Sequence, residues 1–542
     1  MKKQVRTIQF LGSLAMLSLV TGSCTKLADE NFSQLVSSQF TPTSQDLVSL
    51  VGPAYGNWRT LMMTDNAIFR TNEISADAVV FPARPNGWVD GGIYRRMHEH
   101  TWTTTEGNVN TVWTRAFGGI TNCNRVIFQI ESGQIPVTSG KENILAELRV
   151  LRASYYYTLC DFYGNVPIVT KFDVEKGFLP DQNTRKQVYD FVVKEITDAL
   201  PLLSDKVDNS TYGRFNSKWA TQALLAKMYL NAGVYTGTPD WQKCIDACDA
   251  IINSGKFSME ANQKDIFKTE NQNSRESVFA IPYDEKFASG LNIVMETLQP
   301  ANQRTYNVQS ACWGGSCAIP QFINTYDPED SRLKDTWIQG PQYASTGEAL
   351  TGSFRAFNGK PLVFINSLPG IDSTEEVHGY RLGKYEFKQG VLTNMSNDVP
   401  MFRYTDVLMM KAESQLRLGN AAGAATIVTQ VRQRSFKTNP TKATVTAVDL
   451  AKGSSYKYGV ARNDVIASPE GGADIQYGRF LDELGWEFAM EGRRRQDMIR
   501  FGIYTKKSWL SHRPNGDYRN LLPIPQAELN KNTKLKQNPG YN

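Results

Sequence analysis

Residues 142–170, ENILAELRVLRASYYYTLCDFYGNVPIVT, decide how the rest of the chain is read. Ile144, Leu148, Leu151, Tyr155, Leu159 and Phe162 recur at steps of three and four residues, which on a helix makes one continuous apolar stripe. Such a stripe has to be buried. Gly164, Asn165 and Pro167 follow at once and end the helix, because glycine accepts left-handed dihedrals and the residue before a proline disfavours the helical region. Arg149 and Arg152 lie on the flank of the stripe, where guanidinium groups either clamp neighbouring carbonyls and carboxylates or stay in solvent. The segment predicts a helix, a sharp stop and a short extended exit.

Flanking segments repeat the pattern. Residues 46–60, entered through Pro42, Thr43 and Ser44, turn Leu47, Leu50, Val51, Ala54, Tyr55 and Trp58 to one face, and a helix is expected over about 108–131. Downstream, 184–203 is amphipathic on Val188, Phe191, Val192, Ile196, Ala199 and Leu203, with Thr184 at its start. Helices over 217–232 and 240–253 follow, with Ser217 and Asp240 as caps and Gly233, Gly237, Pro239 and Gly255 as breaks. Another pair, 404–418 and 421–435, joins at Gly419 and Asn420, and a last helix is expected over 474–491. The tail from Leu521 is too proline-punctuated for a helix and is expected to wrap the surface. Two helices joined by a Gly/Pro turn make a helical hairpin, but loops of very different length intervene, so the strict tetratricopeptide period is not met. The expected fold is all-α: a tetratricopeptide-like scaffold of helical hairpins with long irregular loops and a few short strands such as SVFAIPY.

The 542 residues can bury a large core, and 41% hydrophobic with 21% charged residues is an ordinary globular balance. Lys2, Lys3 and Arg6 head an apolar run from Ile8 to Val20, a leader of signal-peptide length that ends in Thr21, Gly22, Ser23 and Cys24. Cys24 is the expected acylated N-terminus of the mature chain, set against an ordinary secretory signal with an incidental cysteine. Removing the three leader cations lowers the net charge from +5 to +2, too little to argue for nucleic acid. With four histidines and no repeated C-x-x-C, no metal or cofactor site is expected; Cys312 and Cys317 flank a glycine loop and leave a disulfide open.

Several blocks, in order, resemble one family. The opening helix, MYLNAGVYTGTPDWQKCIDACDAII, RYTDVLMMKAESQLRLGN, ELGWEFAMEGRRRQDMIRFG and LLPIPQAELNKNTKLKQNPGY look like the SusD/RagB family of surface glycan-binding lipoproteins. The resemblance covers residues 24–542 as a unit, with an N-terminal part over about 40–257 and a loop-rich C-terminal part over about 258–542. It implies a non-catalytic lipoprotein that is anchored at the outer membrane, faces the cell surface and captures an oligo- or polysaccharide for a SusC-like TonB-dependent transporter. It also places Phe81 and Asn86 of the first long loop, and Trp313 of ACWGGSCAIP, on binding positions. Ala83 stands where a second loop aromatic is expected.

The residues agree with that chemistry. A site that holds sugars without cutting them needs aromatic plates with polar groups at their edge. The irregular stretch 64–107 supplies Phe81, Trp88 and Trp102 beside Asn72, Asp77, Arg84, Asn86 and Asp90, and Trp313 adds a plate from a second loop. Phe81, Arg84, Asn86, Trp88, Asp90 and Trp313 are therefore the expected ligand contacts, with Trp88 and Trp313 exposed beside glycines. The alternative is that these rings pin loops onto the scaffold, and that Asn72 and Asp77 cap local backbone. A glycoside hydrolase would need two carboxylates facing across a cleft, whereas Glu483, Glu487 and Glu491 follow at i, i+4 on one expected helix and are read as ion-pair partners of Arg493, Arg494 and Arg495. His98 and His100 lack a third metal ligand. A peptide-binding or purely structural transporter lid stays open, since aromatic loops suit peptides as well.

Overall fold

A computed structural model describes residues 44–63, 65–85 and 88–541 of the protein. The lipidation residue Cys24 and the loop residue Asn86 lie outside the described residues. The fold is all-α with a few short strands. Its principal helices are α1 (Ser44–Met62), α2 (Ile68–Ile74), α3 (Ile93–His98), α4 (Gly107–Glu131), α5 (Lys141–Phe162), α6 (Arg185–Ala199), α7 (Lys218–Leu230), α8 (Trp241–Ile252), α9 (Tyr404–Arg417), α10 (Ala421–Gln433), α11 (Gly478–Phe488), α12 (Arg494–Arg500) and α13 (Gln526–Lys531). One run of packed neighbours goes from α1 through α4 and α5 to α6, and another from α7 through α8 and α9 to α10.

Helix α5 is the axis of the first run. From Ala146 to Phe162 every residue except Arg149 is buried, and Gly164 at φ +72° ends the helix. Arg152 is a clamp, not a solvated cation: it donates to Asn124 Oδ1 at 2.8 Å and pairs with Glu195. Caps follow residue chemistry where the side chain is free to turn back. Thr184 and Gln187 form a capping box on α6, and the Ser217 hydroxyl accepts from the amides of Trp219 and Ala220 on α7. Asp240 does not cap α8, because its carboxylate is engaged by the Tyr189 hydroxyl and by Lys243.

The structure departs from expectation in three places. The stretch 64–107 is not wholly irregular, for it holds α2 and α3. The last long helix stops at Phe488 and restarts as α12, because Met490 is at φ +67° and the buried Glu73 carboxylate accepts the amides of Met490, Gly492 and Arg493. The tail contains α13 and is built into the core: the Leu522 amide donates to the Phe162 carbonyl at 2.7 Å, Asn538 reaches Tyr163, and Leu522 and Ile524 are fully buried.

Two short antiparallel ladders organise the loops. Strand β1 (Val79–Val80) pairs with β3 (Cys317–Ala318), Val79 opposite Ala318, while β2 (Ser277–Ile281) pairs with β4 (Val399–Arg403). The first ladder brings the loop after Val80 beside the loop before Cys317.

Candidate functional site

Where β1 meets β3, four aromatic rings form one tier. Phe81 stacks on Tyr94 at 4.5 Å and on Trp88 at 5.7 Å between ring centres; Trp88 lies parallel to Tyr94 at 6.0 Å and within 20° of Trp313 at 6.2 Å. Phe81 and Tyr94 are each 5% exposed, whereas Trp88 and Trp313 are half-buried. The tier thus has an inner layer of two rings and an outer layer of two indoles drawn from different loops, in the offset stacking that aromatic quadrupoles favour. Gly315 makes room for it: a Cβ there would stand 2.4 Å from the Trp88 ring. The Trp313 amide donates to the Met295 carbonyl at 2.7 Å and the Gly315 amide to the Glu296 carbonyl at 2.6 Å, fixing the loop on the helical turn Ile293–Thr297.

A polar edge surrounds the rings. Arg70, buried beneath Tyr94, pairs with Glu296 and Asp65 and reaches Asn292 Oδ1 at 3.4 Å. The Asp65 side chain is 69% exposed. Asp90 is exposed and opens a left-handed turn continued by Gly91 and Gly92, at φ +44°, +58° and +79°. Burial pushes the Tyr94 hydroxyl up to about 12, with Arg70 opposing and the Asp90 and Asp65 carboxylates adding, so Tyr94 remains a donor. The arrangement can stack a flat ligand on indole and accept hydrogen bonds from its rim.

Of the sequence-predicted contacts, Trp88 and Trp313 stack on each other, and Asp90 lies exposed beside the Tyr94 hydroxyl. Phe81 is corrected from an exposed plate to the foundation of the tier. Arg84 is corrected from a ligand-facing cation to a buried clamp, since its guanidinium donates to the carbonyls of Gly315, Glu375 and His378 at 2.9, 2.7 and 3.2 Å. Trp102 is 1% exposed and its indole N–H donates to the Tyr541 hydroxyl. Asn72 and Asp77 cap no local backbone: Asn72 donates to the Gly492 carbonyl, and Asp77 pairs with Arg494 at 2.7 Å. Tyr94, Arg70 and Asp65 were not anticipated, although the pair Gly91 and Gly92 signalled a turn just before Tyr94. Nor was Phe287, which is 90% exposed on a turn closed by Asp284 Oδ1 accepting the amides of Lys286 and Phe287 at 2.8 Å.

Other chemistry-bearing groups are structural. Glu483 pairs with Arg332, Arg432 and Arg479, Glu487 with Arg332, Arg403 and Arg434, and Glu491 with Lys384 and Arg403, all buried. Ion pairing is thus correct in kind, but Arg493, Arg494 and Arg495 serve Asp406, Asp77 and Asp161 instead. Burial alone would raise the Glu483 carboxyl; Arg332, Arg432 and Arg479 overcome it and hold it at about 2. His98 and His100 are fully buried, His100 lying 4.0 Å from His512 ring to ring, and among the described residues no cluster of three or more His, Cys, Asp or Glu is placed to hold a metal. Cys312 and Cys317 are buried free thiols. A cavity of about 60 Å³ between Trp58, Tyr157, Lys227, Phe402 and Arg493 shares no residue with the tier. Among the described residues no helix is long and apolar enough to cross a membrane.

Comparison with known proteins places these features in context. Residues 275–541 match the profile described as the SusD family, and residues 62–230 match one described as starch-binding, associating with outer membrane. The starch-binding protein SusD of Bacteroides thetaiotaomicron is 23% identical over 518 residues, covering 87% of this chain and 85% of its own. Surface glycan-binding protein A from Bacteroides thetaiotaomicron, solved in complex with laminarihexaose, superposes with a TM-score of 0.69 at 20% identity, covering 92% of this chain and 100% of that one. A laminarin-binding SusD-like protein superposes with a TM-score of 0.68 at 19% identity over 92% of this chain and 100% of its own.

Proposed function

This chain belongs to the SusD/RagB family, and from that premise we propose that it is a non-catalytic glycan-binding protein whose ligand lies across Trp88 and Trp313. The paired helices serve as a tetratricopeptide-like scaffold, and residues 24–542 work as one unit. The observation that carries the reading is the outer indole layer. Two half-buried rings from separate loops stack within 20° of each other at 6.2 Å, and Tyr94, parallel to Trp88, has the exposed carboxylates of Asp65 and Asp90 near its hydroxyl. Sugar C–H faces pack on such rings while their hydroxyls donate to carboxylates at the edge. The relatives named for their ligands bind starch or laminarin, so a glucan is the ligand class to try first.

In the wider setting, Cys24 carries the lipid that tethers the protein to the outer membrane facing outward, and the captured glycan passes to a SusC-like TonB-dependent transporter. A hydrolytic role finds no support in Glu483, Glu487 and Glu491, whose carboxylates are consumed by buried guanidinium groups and Lys384. Native gels cast with laminarin, starch and a panel of other polysaccharides test the reading. Retardation that Trp313→Ala removes is expected. No retardation by any glycan, together with tight peptide binding by calorimetry, would replace the glycan with a peptide; release of reducing sugar would make the protein an enzyme.

A further inference from the structure

Arg84 and its companion Arg381 are both buried against the Cys317 thiol, and their remaining hydrogen bonds go to backbone carbonyls. Arg84 holds the carbonyls of Gly315, Glu375 and His378; Arg381 holds those of His378, at 3.0 Å, and Glu376. Glu375 and Glu376 are near enough for their charge to be felt, yet neither carboxylate forms an ion pair with Arg84 or Arg381. Burying a guanidinium without a carboxylate is costly unless fixed dipoles replace its water. Here the backbone dipoles of two loops do so. The loop carrying Trp88 begins at Arg84, the loop carrying Trp313 ends in Gly315, and a third loop, 375–381, is bound to both. The backbone around Ala83 is tied in as well: its amide donates to the Ile371 carbonyl at 2.7 Å and its carbonyl accepts from Thr374.

We propose that Arg84, supported by Arg381, is a positioning residue that sets the spacing of Trp88 and Trp313 by tying their loops to the segment 375–381. A planar fork can hold the carbonyls of two loops at fixed angles, whereas a lysine ammonium is a point charge on a flexible stem. Lysine should therefore keep the charge and lose the geometry. The inference rests on the glycan reading only for its consequence in binding; the spacing itself has an independent signature.

Two indoles stacked this closely couple electronically, so the full-length protein should show a bisignate tryptophan band in circular dichroism that Trp88→Phe and Trp313→Phe each abolish. Arg84→Met should lose that band and raise the Kd for laminarihexaose or a malto-oligosaccharide at least tenfold. Arg84→Lys should weaken both without lowering the melting temperature to the same degree. If Arg84→Met fails to fold, Arg84→Lys alone decides. An unchanged band and unchanged Kd in a folded Arg84→Lys protein would reduce the clamp to plain loop stability and overturn the proposal. A lost band in a protein whose wild type binds neither sugar would uphold the positioning role and overturn the glycan reading instead.

Discussion

The aromatic tier and the carboxylate box of α11 both gather side chains that could serve a ligand, and they are built in opposite ways. The box takes Glu483 and Glu487 from α11 and Glu491 from just beyond it, and surrounds them with Arg332, Arg403, Arg432, Arg434 and Lys384, all buried. The tier takes rings from two loops, buries only the inner pair, and leaves the outer indoles and the carboxylates of Asp65 and Asp90 at the surface. A buried charge network contributes fold specificity and is strongly destabilised when one partner is removed; a half-exposed ring contributes little to the fold and much to a ligand. Chemical type alone would have ranked the box as the site. Exposure reverses the ranking.

The sharpest way to break that contrast is to remove one cation from the box. Arg403→Met leaves Glu276, Glu487 and Glu491 short of a partner, and loss of about 3–5 kcal/mol of unfolding free energy is expected by urea denaturation. Glycan affinity of the protein that remains folded should be unchanged. A fall in affinity with stability preserved would mean that the box belongs to the site after all.

Acid should attack the two kinds of interior in separate windows. Burial holds His98 and His100 neutral with pKa values near 3, below the unfolded value of about 6.5, and Arg495 and Arg519 add repulsion at His100. The unfolded chain therefore binds more protons below pH 6.5, and stability falls from there toward pH 3 by up to about 1.4 kcal/mol per pH unit for each histidine. The depressed Glu483 carboxyl contributes stability that is present above its unfolded value of about 4.5 and is lost as pH falls toward 2. His100→Gln should make the upper window shallower, leaving the contributions of His98 and His512, and should not move the lower one. A pH–stability curve that stays flat between 6.5 and 5 would contradict the buried, neutral assignment.

Much of this was legible from residue spacing, and the exceptions share a cause. The stripe on α5 and the Thr184 and Ser217 caps are local properties, fixed by neighbours within a turn. Phe81 and Arg84 look exposed in sequence because they sit in a proline-broken loop. They are buried because β1 pairs with a strand far along the chain and brings two further loops over them. The break after Phe488 is likewise set by Glu73, and the partners of Arg493, Arg494 and Arg495 are set by distant acids. Side chains whose partners are far apart in sequence carry no periodic signal.

Within the tier, Trp313→Ala should weaken glycan binding by about 1–3 kcal/mol in calorimetry while the melting temperature barely moves. A large drop in melting temperature would instead make the ring a loop pin and erase the contrast with the box.

Phe287 gives the smallest expected effect and the finest test of where the face ends. Its ring is 90% exposed, and Asp284 holds the turn so that the side chain is presented and not collapsed. Five residues further on, Asn292 meets Arg70 beneath Tyr94, so a short run of chain joins the turn to the polar edge. A peripheral ring with no packed neighbours contributes less than a central one, because contact energy concentrates where water is excluded. Phe287→Ala should therefore cost less than about tenfold in affinity, roughly 1.4 kcal/mol, for a long glucan, with no change for a short oligosaccharide that spans only Trp88 and Trp313. Equal losses for both lengths would place Phe287 within the central contact. No loss for either would end the face at Asp65.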